Sequence, residues 1–195
     1  MSTPSRDTYH HGHLRAALID AAMEMLESGE PFSLRAVARQ ANVSQTAPYR
    51  HFADREALES ALAVRGFRDL RGELSLTGGP AASEGELVEF GVAYVAFALR
   101  RPALFRLMFG QECDDQNDER VLAARELRDL LADSLQRLYP GTDHEALAEA
   151  LWALVHGLAF LHLDGKLPVA TSEDVAARVR AAFGSLRTLG VSPAV

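Results

Sequence analysis

Between about residue 12 and residue 189 the apolar residues return at intervals of three and four, and nowhere do they settle into alternation. That is the period of a helix laid on a core, whereas a half-buried strand would place apolar residues at every second position. Ala, Leu, Arg and Glu dominate, and all four are good helix formers. The expectation is an all-α protein of about nine helices. At 195 residues with an apolar share of 48%, the chain can bury a core without staples. A charged share of 24% beside that core argues against disorder. The one cysteine, Cys113, excludes an intramolecular disulfide framework and a cysteine-rich zinc fold, and fits a reducing, cytoplasmic setting. Uninterrupted apolar stretches such as 92–99 are too short to span a membrane, so no membrane segment is expected.

The strongest break is 77–85, TGGPAASEG, with three glycines and a proline. It separates an expected N-terminal domain, 12–71, from an expected C-terminal domain, 84–190. The first domain reads as four helices. Leu14, Leu18, Ala22, Met25 and Leu26 share a face that ends at Gly29. Ser33 caps a second helix with Leu34, Val37, Ala38 and Ala41 turned inward. Asn42 then suits a left-handed turn. Ser44 starts a short helix over 45–52, and Asp54 caps a longer fourth one. The second domain reads as helices over 84–99, 102–109, 119–138, 143–163 and 172–189, with Pro102 at a first helical position.

The informative stretch is 33–55, SLRAVARQANVSQTAPYRHFADR, with a helix-turn-helix over about 33–52. A tight turn makes the two helices cross steeply and frees the N-terminus of the second to enter a major groove. Gln45 can pair with adenine edges, and Thr46 and Ala47 can touch a thymine methyl. Arg55 lies in the first turn of the next helix, whose free N–H groups favour a phosphate. The net charge of −7 points away from nucleic acid only as an average. Residues 33–55 hold four arginines against one aspartate, and 1–71 hold nine basic and nine acidic residues. Residues 72–195 hold eleven basic and eighteen acidic residues, so the acidity belongs to the second domain.

The segments YHHGHLRAALIDAAMEML and FSLRAVARQANVSQTAPYRHFADREAL resemble the N-terminal domain of the tetracycline-repressor (TetR) family of bacterial transcription regulators. The specific marks are VS at the turn, the Tyr49–Phe52 pair and the basic Arg55. The resemblance implies a homodimer on a palindromic double-stranded DNA operator, most often a repressor, released when a small molecule enters the C-terminal domain. It implies that Gln45, Thr46 and Ala47 face bases, with Ser44 at the start of that helix. Tyr49 and His51 would meet phosphates, and Arg50 a base or a phosphate. Ser33, Arg35 and Arg55 would meet the backbone. Asn42 departs from the family's usual glycine. Pro48, just past the first turn of the reading helix, costs that helix a hydrogen bond.

In the second domain, Phe90, Tyr94 and Phe97 share one helical face, Phe105, Met108 and Phe109 another, and Trp152, His156 and Phe160 a third. These nine could enclose an apolar or amphipathic effector, with Tyr94 and His156 as polar anchors, or could simply form core. RRPALFRLMFG and WALVHGLAFL resemble one C-terminal subtype of the family, without naming a ligand. The last two helices carry apolar stripes, Leu147, Leu151, Leu154, Leu158 and Leu161 on one and Val175, Val179, Ala182, Phe183 and Leu186 on the other. Paired across a two-fold axis they would make a four-helix bundle; alternatively both stripes are buried within one chain.

Other signals carry less. His10, His11 and His13 lack a carboxylate or cysteine partner for a metal, and the acidic run 112–119 lacks the turn glycine of a calcium loop. No nucleophile elbow, P-loop, zincin motif or dinucleotide fingerprint occurs, so neither enzyme activity nor a cofactor is expected. The alternative function is a helical small-molecule carrier without DNA binding.

Overall fold

The computed structural model describes residues 6–31, 33–75, 79–110, 119–169 and 171–188, with side chains from residue 13 onward except Arg187. Eight α-helices, one 3-10 helix and no strand occur among the described residues. They are α1 (Arg6–Ser28), α2 (Leu34–Gln40), the 3-10 helix Pro48–Arg50, α3 (Arg55–Leu74), α4 (Glu84–Arg100), α5 (Pro102–Phe109), α6 (Glu119–Leu138), α7 (His144–Leu163) and α8 (Ser172–Thr188). Cys113, most of the acidic run and the side chains of His10 and His11 lie outside the described residues.

The helix starts follow local chemistry. Ser33, Asp54, Ser83 and Asp143 each accept a hydrogen bond from the backbone N–H three residues on, opening α2, α3, α4 and α7. Each such cap stabilises its helix by about 1 kcal/mol. Helix α1 begins at Arg6, earlier than the expected residue 12, because a single interior glycine, Gly12, costs only about 1 kcal/mol. The C-terminus of α5 is closed by buried Arg120, whose guanidinium donates to the carbonyls of Leu107 (3.1 Å) and Met108 (2.9 Å). Asn42 is the one described non-glycine residue at positive φ (55°), as the turn between α2 and the reading segment requires.

The segment 45–52 is not the expected α-helix. It forms a turn over 45–47 and then the 3-10 helix. Pro48 has no N–H to donate one turn back, so the chain tightens to three-residue bonds. Ala47 N–H reaches Ser44 O at 2.9 Å, Arg50 N–H reaches Ala47 O at 3.2 Å, and His51 N–H reaches Pro48 O at 2.9 Å.

Two apolar cores share the long helix α3. Its first half, Leu58 and Leu62, joins Leu18, Val37 and Phe52. Its second half, Phe67 and Leu70, joins Val95, Phe97, Phe105 and Val179. Met23, Leu26 and Leu107 pack against both. At the same junction the Arg101 guanidinium meets the carboxylates of Asp69 (2.9 Å) and Glu27 (3.4 Å), tying α3 and α1 to the α4–α5 corner.

Helix α4 lies between α7 and α8, which both pack on it. Gly91 lets α8 approach, since a β-carbon there would stand 2.7 Å from the Phe183 ring. The expected dimer stripes are largely spent on this packing. Val175 and Val179 of α8 are buried in the chain, and Ala182, Phe183 and Leu186 are half-buried. On α7 Leu151 is buried, Leu147, Leu154 and Leu158 are half-buried, and Leu161 is exposed. The uncovered faces include small residues, Ala150 and Ala153 on α7 and Ala177, Ala181 and Gly184 on α8, and α7 also exposes Trp152 and Leu161. Helix α7 is also long and apolar enough to cross a membrane by length and composition. Counting only unbroken apolar stretches passes over it, because Glu149 and His156 interrupt the run.

Candidate nucleic-acid interface and candidate ligand cavity

The turn and 3-10 helix present Ser44, Gln45, Thr46, Tyr49 and Arg50 to solvent, and Tyr49 is 50% exposed. Ser44 and Thr46 hydroxyls lie 3.3 Å apart, which steadies the tip. Ala47 is buried beneath the tip. His51 is half-buried with its ring 6.4 Å from that of Phe52. Arg35 is exposed near the start of α2, while the Ser33 hydroxyl is engaged in capping Ala36 N–H (3.2 Å).

The start of α3 is less available than its sequence suggested. Asp54 caps it through Ala57 N–H (2.8 Å), and the Arg55 guanidinium turns along the helix to Glu59 (2.7 Å). A phosphate there would compete with two carboxylates. Arg15 of α1, which sequence reading passed over, sits with its guanidinium 5.4 Å above the Phe52 ring. It brings a further cation to the base of the reading segment.

The second site is a cavity of about 430 Å³ lined by α3, α4, α5, α6, α7 and α8. Of the nine residues expected around it, Phe90, Tyr94, Met108, Phe109 and Trp152 border it. Phe97 and Phe105 do not, because both are fully buried in the packed core. His156 and Phe160 stand behind the wall with rings 4.8 Å apart, each packed against Phe105.

Tyr94 and His156 are not two free anchors, since they bind one another. The Trp152 indole N–H donates to the Tyr94 oxygen at 3.3 Å, and the Tyr94 hydroxyl lies 2.9 Å from His156 Nδ1. Burial holds the His156 pKa below the ordinary imidazole value and drives that of Tyr94 far above a phenol's. A neutral imidazole then accepts the Tyr94 proton at Nδ1 and carries its own at Nε2. Burying the Tyr94 hydroxyl is tolerable because Trp152 and His156 satisfy it.

Sequence reading also missed Arg125 and Arg128 of α6, both exposed and both on the cavity wall. The signal was present. Val121, Ala124, Leu127 and Leu131 return at helical intervals and also border the cavity, and the two arginines stand among them.

Residues 87–186 match the family model described as the tetracyclin repressor-like C-terminal domain, and residues 18–62 match that of the bacterial regulatory proteins, tetR family. Among solved structures the chain is similar to a protein of unknown function from Rhodococcus sp. RHA1, at 32% identity and a TM-score of 0.75, over 90% of this chain and 95% of that one. It shares its fold with a bacterial regulatory protein in the tetR family from Rhodococcus RHA1, at 19% identity and a TM-score of 0.63, over 87% and 94% of the two chains. It also shares it with NalD, the secondary repressor of the MexAB-OprM multidrug efflux pump in Pseudomonas aeruginosa, at 20% identity and a TM-score of 0.55, over 91% and 97%. One family model spans more than half of the chain and another covers the helix-turn-helix, so the chain belongs to the tetracycline-repressor family of DNA-binding bacterial transcription regulators.

Proposed function

We propose that this protein represses transcription by binding a palindromic operator as a homodimer, and that a small apolar or amphipathic effector in the cavity releases it. The observation that carries the reading is the position of α5. Leu107 packs against the N-terminal core, while its neighbours Met108 and Phe109 border the cavity. Successive residues on a helix point about 100° apart, so one short helix touches both compartments. A ligand that shifts Met108 or Phe109 therefore pushes on the base of the reading segment.

Several features support the parts of this reading. Gln45, Thr46, Tyr49 and Arg50 are exposed together, for which a ligand carrier has no use. The one-turn reading segment covers too little sequence for one copy to be specific, which favours two. The small residues exposed on α7 and α8 suit close approach by a second copy, and with exposed Leu161 of the expected stripe they make up the proposed dimer surface.

The test is selection of duplexes from a random library by the full-length protein, followed by gel shift. The expected result is a two-fold symmetric site bound by a dimer. Failure to enrich any sequence would overturn the reading.

A further inference from the structure

The cavity is electrically lopsided. Arg125 and Arg128 are the charged residues on its wall among the described residues, and no described aspartate or glutamate borders it. They stand three residues apart on α6, so both heads leave one face of the helix. Both are exposed, as is Trp152, so the cavity opens to solvent where the two cations stand.

Neither arginine has an ion-pair partner among the described residues, although acids outnumber bases eighteen to eleven in this half of the chain; Arg137, Lys166 and Arg178 are alike in this but stand away from the cavity. Arg100 meets Glu73, Arg101 meets Asp69, Arg106 meets Asp164 and Arg180 meets Glu89. Asp129 follows Arg125 by four residues, the helical ion-pair spacing, yet no ion pair joins them among the described residues. The polar groups of Trp152 and Tyr94 on the wall are already committed, since Trp152 donates to Tyr94 and Tyr94 pairs with His156. Among the described residues, the uncommitted side-chain donors on the cavity wall are thus the two guanidiniums. Two cations side by side repel, and a single anion between them removes that cost. The flat, forked guanidinium matches a carboxylate in shape.

We propose that the cavity takes an amphiphile with an apolar body and one carboxylate head, the head held by Arg125 and Arg128 and the body seated against Phe90, Phe109 and Phe183. This rests on the reading of the cavity as the effector site and adds the chemical class of the effector.

Trp152 is the one tryptophan of the chain and borders the cavity, so its emission reports occupancy. Full-length protein is titrated with octanoate, octanol and octylamine, which share a tail and differ in the head. Octanoate is expected to bind about tenfold more tightly than octanol, the scale of one charge-assisted hydrogen bond, and octylamine more weakly than octanol. In the double variant Arg125→Gln and Arg128→Gln, octanoate falls to the level of octanol while octanol is unchanged. In Arg125→Lys with Arg128→Lys, part of the preference survives. Equal binding of octanoate and octanol by the native protein, or an undiminished octanoate preference in the glutamine variant, overturns the carboxylate inference and leaves the effector cavity standing. No response to any of the three overturns both.

Discussion

Gly66 of α3 lies so close to Met108 of α5 that a β-carbon added to it would stand 2.6 Å from the Met108 sulfur. The two helices touch at the seam between the DNA-reading half and the cavity. Ala at position 66 would gain about 1 kcal/mol of helix propensity and lose about 1–3 kcal/mol to overpacking. Met108, nearly fully buried, has one open side, which is the cavity. Gly66→Ala is therefore expected to leave stability level or lowered by up to about 2 kcal/mol and to weaken effector binding. Adding Met108→Ala should cost less in the Gly66→Ala background than in the native one, a coupling that urea denaturation of the four proteins measures.

Arg50 and Gln45 are exposed and make no packing contribution, so their loss should be felt in DNA alone. Arg50→Ala is expected to weaken operator binding by about 1–3 kcal/mol, and Gln45→Ala to relax the preference at one base position by a similar amount. Both variants should melt within about 0.5 kcal/mol of the native protein. Tyr49→Phe should weaken binding less than Arg50→Ala. Gel shifts against the selected operator, with circular dichroism as control, check all three.

The small residues exposed on α7 and α8 predict a specific failure of assembly. Ala153 and Ala181 are exposed in the single chain, so Ala153→Glu and Ala181→Glu should leave the fold intact. A carboxylate at either place would be desolvated in a dimer without a partner, at a cost of several kcal/mol. Sedimentation at micromolar concentration should show a dimer for the native protein and a monomer for the double variant. Operator affinity should collapse with it.

Acid should loosen the C-terminal domain before it touches the carboxylates. Burial holds both His156 and His162 below the ordinary imidazole pKa, with the Arg178 charge adding to the effect at His162. The folded chain then binds fewer protons than the unfolded one, so stability is complete above about pH 6.5 and is lost as the pH falls through the depressed values. Protonated Nδ1 also cannot accept from Tyr94, so Trp152 emission should change in the same range. The paired replacement His156→Gln and His162→Gln should flatten the dependence of Tm on pH between 7.5 and 5.5. An unchanged slope would refute the assignment.

Much of this fold was legible because its boundaries are written in side chains that cap. Pro102, Asp143 and Asp54 each mark a helix start, and Gly29 marks an end. The reading segment was misjudged because one proline turns a short α-helix into a tighter one, and residue propensities do not show which. The cavity was half legible. Aromatic residues at helical spacing identify a wall but do not separate Phe90, which borders space, from Phe97, which borders other side chains. Arg125 and Arg128 were lost because charge on a helix ordinarily means a solvated face. On α7 nearly every direction is apolar, so periodicity could not tell its inner leucines from its outer alanines.

The double allegiance of α5 limits how such a protein can change over generations. The helix is only eight residues, about 12 Å. A substitution at Leu107 is seen by both halves at once and must satisfy both. Arg125, Arg128 and Trp152 border the cavity without touching the N-terminal core, and Gln45 and Thr46 touch neither. New effectors can therefore be acquired through α6 and α7, and new operators through the tip. Descendants can explore the two specificities independently while the small helix that joins them stays nearly fixed.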